Sequence, residues 1–127
     1  MKRYQLTLRG DLLFTRAALR KDRFLRVTTL LIDTGASYTI VSWETLTSLG
    51  IDPASSQTRR ALMTANGLIQ APEVKVDDFY CFGHHVPDFP LVAHSIPLGA
   101  TVDGVLGMNF LRQYTAKLSL KEGVVEV

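Results

Sequence analysis

The sequence predicts an all-β domain with one or two short helices. Apolar and polar residues alternate with the period of a strand from the first residues on, short apolar runs recur between turn-forming residues, and only two short stretches carry helix signals. At 127 residues the chain fits one domain spanning 1–127. A domain of this size buries ~65 to 70% of the surface its unfolded chain exposes, so one core is expected.

Tyr4, Leu6 and Leu8 alternate with Gln5, Thr7 and Arg9, which predicts a first strand over 3–9, ended by Gly10-Asp11. Leu12 to Leu19 and Phe24 to Ile32 flank the polar Arg20-Lys21-Asp22-Arg23 and read as a hairpin. Ser42 is placed to cap a short helix through Trp43, Leu46 and Leu49, with Gly50 as its left-handed terminator. Residues 52–56 read as a loop. Arg60 to Ala65 and Leu68 to Val76 flank Asn66-Gly67, which predicts a hairpin with a type I′ turn.

Val74 to Phe82 and Val86 to Ala93 predict a further strand pair around Gly83-His84-His85, with Pro87 and Pro90 pushing the second strand toward an edge. After a loop from Pro97 to Asp103, Val105-Leu106 reads as a short buried strand. Gly107 to Tyr114 reads as a short helix with Phe110 and Leu111 inward. Lys117 to Leu120 and Val124 to Val127 close the chain as strands.

Composition sets limits on function. The chain is 46% hydrophobic and 20% charged, ordinary for a globular protein. The net charge of +2 is too small to suggest nucleic acid, although residues 1 to 30 hold eight Lys or Arg against two Asp. Those basic residues, at Arg16, Arg20, Lys21, Arg23 and Arg26, suit the solvated side and turn of a hairpin, and no aromatic residues interleave with them. No apolar run approaches the ~18 residues that cross a bilayer, and the start lacks a secretory signal, so no membrane partner and a cytoplasmic location are expected. The single cysteine, Cys81, has no partner for an internal disulfide.

The chemistry-bearing feature is Asp33-Thr34-Gly35, which follows the apolar run Leu30-Leu31-Ile32 and leads into Ala36-Ser37. The triplet alone is weak. Its setting strengthens it: a buried strand delivers a carboxylate into a turn, and Val105-Leu106-Gly107 opens an apolar helical stretch farther along. Asp103 beside Gly104 is better read as a turn than as a second catalytic carboxylate. Cys81, His84, His85 and His94 lack paired metal-ligand spacing, and two exposed histidines at a hairpin tip are the simpler reading.

This series of a strand, Asp-Thr-Gly-Ala-Ser, a hairpin with a glycine tip and apolar-apolar-Gly before a short helix resembles the retropepsin-like aspartic proteases, closest in appearance to bacterial or retrotransposon members. The resemblance covers nearly the whole chain. It implies a closed, barrel-like β domain with a flap hairpin, in which Asp33 is the catalytic residue and Thr34 and Gly35 support the loop. It further implies substrate contacts from Ala36, Ser37, Val102 and the flap residues Thr64, Ala65, Asn66, Gly67 and Leu68. Apolar specificity pockets are expected near Val41, Leu68, Leu98 and Val102. The chain departs from the viral pattern at Met108, where the helix commonly opens Gly-Arg, and at Ser37, where Asp is common.

The resemblance implies a polypeptide substrate and no metal or cofactor. Only one Asp-Thr-Gly is present, so it implies a symmetric homodimer in which each chain supplies one Asp33. Two carboxyls sharing one proton can activate a water and polarise a carbonyl together, because like charges a few ångströms apart resist double ionisation. A mildly acidic, bell-shaped pH profile is then expected. Thr34 would tie the paired loops across the two-fold axis, and the flap would hydrogen-bond an extended peptide and exclude water. The competing possibilities are a non-catalytic dimerisation or peptide-binding module of the same fold, and a latent protease with a weak dimer or locked flap.

Overall fold

The computed structural model describes residues 1–99 and 101–127. The first predicted strand is in fact two, β1 (Arg3–Gln5) and β2 (Thr7–Arg9), parted at Leu6. Leu6 is buried and donates its N–H to Gly123 O at 2.8 Å, and there the chain passes from one sheet into another. The alternation that predicts one strand continues through the break, because a change of partner leaves the side-chain period intact.

The hairpin β3 (Leu12–Lys21) and β4 (Phe24–Ile32) pairs from Phe14 opposite Leu31 to Lys21 opposite Phe24. Next come β5 (Ile40–Val41), α1 (Trp43–Ser48) and a single 3-10 turn over Pro53–Ser55, inside the stretch read as a loop. Ser42 caps α1 by accepting from the Thr45 N–H, and Gly50 follows at φ +77°, as the sequence predicts. The two long antiparallel pairs use β6 (Arg59–Thr64), β7 (Gly67–Cys81) and β8 (His84–Ala93). Last are β9 (Gly104–Leu106), α2 (Met108–Leu111), β10 (Lys117–Ser119) and β11 (Val124–Glu126).

Two turn assignments change. The type I′ turn predicted at Asn66-Gly67 does not form: Thr64 pairs with Gly67, Ala65 and Asn66 keep negative φ, and only Gly67 is positive, at +108°. The Thr64 hydroxyl holds this turn, donating to Gly67 O at 2.8 Å and accepting from Asn66 N at 3.2 Å. Both central residues are instead positive in the β7–β8 turn, Phe82 at +50° and Gly83 at +71°, the sign pattern of a type I′ turn. Phe82 tolerates this because its buried ring packs 5.4 Å from Tyr4 and 6.2 Å from Phe110. Nor is β8 a simple edge. Its proline-containing half pairs only with β7, while Val92 and Ala93 also pair with β5 in parallel.

The main sheet runs β2-β3-β4-β9-β5-β8-β7-β6, and a further β3–β7 pairing closes it into a barrel. Parallel pairing of β9 with β4 and antiparallel pairing with β5 set β9 between them, behind the end of β4. A second sheet, β1-β11-β10, joins the two ends of the chain. Phe110 of α2 plugs the core, edge-on to Phe79 at 5.6 Å, while Phe79 stacks on Phe89 at 4.3 Å. No helix among the described residues is long and apolar enough to cross a membrane.

The β3–β7 closure carries charge. Arg20 Nε donates to the buried Asp78 at 2.6 Å, His85 Nε2 meets the other Asp78 oxygen, and the His85 ring stacks on Tyr80 at 4.8 Å. The hydrogen bond from His85, and then that from Arg20, holds the Asp78 carboxyl below its ordinary value. A carboxylate depressed in the folded state stabilises the fold above its unfolded pKa, and that stability is lost as pH falls through the folded value. The melting temperature is therefore expected to drop as pH falls below ~4. Asp78→Asn should melt lower at neutral pH with a shallower acid slope, measured by circular dichroism; parallel slopes would remove Asp78 from this role.

Candidate active site

The apolar β4 delivers Asp33. One residue past the strand, the Asp33 N–H donates to Leu106 O at 3.1 Å, which extends the parallel β4–β9 ladder and fixes where the carboxylate emerges. Asp33 is half-buried. Its Oδ1 accepts from the Gly35 N–H at 2.9 Å, and Ala36 N donates back to Asp33 O at 3.2 Å, closing a tight turn. A side chain at Gly35 would put its Cβ 3.2 Å from Asp33 Oδ1, so a glycine keeps the carboxylate uncrowded.

The loop rests on α2. Met108 N donates to Ala36 O at 2.7 Å and Asn109 N to Ser37 O at 3.1 Å, so N–H groups of the first helical turn, which have no partner within the helix, hold the loop carbonyls. The fully buried Thr39 completes the support. Its hydroxyl donates to Asn109 Oδ1 at 2.8 Å and accepts from Gly107 N at 3.2 Å. Thr39, Gly107 and Asn109 were not among the site residues expected from sequence. Their signal was present, a hydroxyl residue after the Asp-Thr-Gly turn and an Asn after the distant glycine, but only the fold brings these together.

Beside Asp33 lies a cavity of about 310 Å³. Gly35, Ala36 and Ser37 form one wall, residues 61–64 of β6 another, and Tyr38, Ile40 and His94 complete it. The β6–β7 hairpin leans over this space because Leu62 packs with Ala71 and Val92 above Tyr38 and Ile40. Of the flap residues expected to meet substrate, Thr64 lines the cavity, while Ala65, Asn66, Gly67 and Leu68 sit exposed at the hairpin tip. Thr34 is exposed next to Asp33 and lines a second cavity of about 290 Å³ with Met108, Leu111 and Leu118.

Other residues lie apart. Val102 is buried and lines a different cavity with Arg26, Ser42 and Thr45, and Val41 is wholly in the core. Asp103 is committed to the fold: Oδ2 accepts from Thr29 N and Oδ1 from the Thr45 hydroxyl, both at 2.8 Å. Cys81 is buried, with its thiol pushed up to about 12 by burial. His84 stacks on Tyr114 at 4.1 Å, and no group of three or more metal-ligating side chains assembles among the described residues.

Comparison with known proteins agrees with this architecture. The aspartyl protease family matches over residues 25–110, from β4 through the flap to Phe110. Among solved structures, a retropepsin-like aspartic protease from Rickettsia conorii is 19% identical, with a TM-score of 0.72 over 98% of this chain and 88% of its own. That likeness establishes a retropepsin-like all-β fold. No curated protein matches the chain. With the family matched across the loop, the flap and the helix behind them, this chain belongs to the aspartyl protease family and carries its retropepsin-like fold.

Proposed function

We propose that the chain, a single domain over 1–127, is an aspartic endopeptidase active as a homodimer, with Asp33 and its copy in the partner forming the catalytic dyad. The observation that carries this reading is Asp33 itself. It is a half-buried carboxylate at a strand end, with one oxygen held by Gly35 N–H, facing a cavity walled by a β-hairpin. Among the described residues there is one such carboxylate, and a two-fold axis would supply the second.

In the dyad one carboxylate takes a proton from water as the water oxygen attacks the peptide carbon. The protonated partner gives its proton to the carbonyl oxygen. Return of a proton to the amide nitrogen then lets the C–N bond break, leaving an acid and an amine. Thr34, exposed beside Asp33, suits contact with the opposite loop, and Gly35 keeps the turn tight. Ala36, Ser37 and Thr64 line the cavity, and the tip residues Ala65, Asn66, Gly67 and Leu68 would fold onto an extended peptide when the hairpin closes. Val102 would act at most through the loop it anchors, from its separate cavity.

Because each chain holds half of the site, activity per chain should rise with protein concentration and level off once dimers predominate. Initial rates on a mixed peptide library, paired with sedimentation velocity at the same concentrations, read this directly. A constant activity per chain down to concentrations that hold only monomer would overturn the shared dyad.

A further inference from the structure

The three histidines differ in what they touch. His84 stacks on Tyr114, and His85 meets Asp78 and Tyr80. His94 has no side-chain hydrogen bond, ion pair or ring partner among the described residues, yet it is half-buried in the wall of the Asp33 cavity. Its backbone is fixed, since His94 N donates to Val41 O at 3.2 Å directly after the buried Val92 and Ala93. Val92 packs under the flap with Leu62, and two residues along an extended chain return to the same face.

The charges around His94 are few. Asp33 and Tyr38 come from the loop, and residues 61–64 of the flap bring no ionisable group. At the flap base Arg60 and Glu73 pair with each other at 2.8 Å. Behind the strand, Asp103 has both oxygens engaged by Thr29 and Thr45. Among the described residues His94 is thus the one basic side chain lining the cavity, and its ring makes no hydrogen bond there.

We propose that His94 is a specificity-determining residue that donates a hydrogen bond to a side-chain carboxylate of the peptide, giving a preference for Glu or Asp at the subsite against β8. This rests on the peptidase reading above. A charge-assisted hydrogen bond in a partly dry cleft is worth about tenfold in discrimination.

The test uses peptide pairs that differ only in Glu against Gln, scanned along the peptide, with kcat/KM measured for each pair. The wild-type protein and His94→Gln are compared. The Glu/Gln ratio is read within each protein, so partial loss of folded material cancels. In parallel, non-cleavable reduced-amide versions of the same pairs are bound to Asp33→Asn protein with and without His94→Gln, by fluorescence anisotropy. The expected result is one position with about a tenfold Glu preference in the wild-type protein that is absent in His94→Gln. An equal ratio in both proteins, or no preference at any position, overturns the proposal. Selective binding of Glu peptides that depends on His94, without cleavage by wild type, upholds it while removing the peptidase reading. A protein that neither cleaves nor binds any of the peptides overturns both.

Discussion

Asp33→Asn is expected to lower kcat by about a thousandfold or more while the protein keeps its melting temperature and its association state. The amide is nearly isosteric with the carboxyl, and its oxygen still accepts from Gly35 N–H, the one hydrogen bond that the Asp33 side chain makes among the described residues. What it loses is chemical: an amide neither takes a proton from water nor shares one with a facing carboxyl. In the proposed dimer, two facing amides leave no like charges at the axis, so association should hold. Rates on the peptide library, thermal melts and sedimentation of the same sample give the three readouts. Undiminished hydrolysis would move the chemistry to another residue. If neither protein cleaves any peptide although dimers form, the chain is a peptide-binding or dimerisation module of this fold.

The parts of this molecule legible in the sequence are those set by local chemistry. The β3–β4 hairpin, the Ser42 cap, the Asp33 turn and the inward Phe110 all follow from period, capping or turn residues within a few positions. The parts that were not legible depend on partners distant in the chain. The strand broken at Leu6 alternates without interruption, and only the separate pairing of β1 with β11 and β2 with β3 shows two elements. Asn66-Gly67 is the better local type I′ signal, but Phe82-Gly83 takes that shape, because packing of the Phe82 ring against Tyr4 and Phe110 outweighs the local cost of a positive φ. In the site, Asp33 could be picked out from its neighbours in sequence, whereas Thr39, Asn109 and His94 gain meaning only when β5 pairs with β8 and β9 and brings them to one place.

The same dependence makes Gly107 a position where a single methyl group should disturb the site itself. A Cβ there would lie 2.2 Å from Tyr38 O, 2.5 Å from Tyr38 C and 2.9 Å from Ala36 O, all backbone atoms that no rotamer change can move. Its φ of −97° suits any residue, so the constraint is space. Relief requires α2 and the loop to part, and their contacts are the Met108 N to Ala36 O and Asn109 N to Ser37 O hydrogen bonds and the Thr39 bridge. Gly107→Ala is therefore expected to cost about 2 to 5 kcal/mol in denaturant-induced unfolding. Activity should fall well beyond the loss of folded protein, because a shift of ~1 Å in a catalytic carboxylate costs on the order of a hundredfold. Assaying at a low temperature, where the variant is still folded by circular dichroism, separates the two effects. A Gly107→Ala protein with wild-type stability would mean that the loop and helix have slack these distances do not allow. One that is destabilised yet fully active once folded would mean that α2 supports the fold without positioning Asp33.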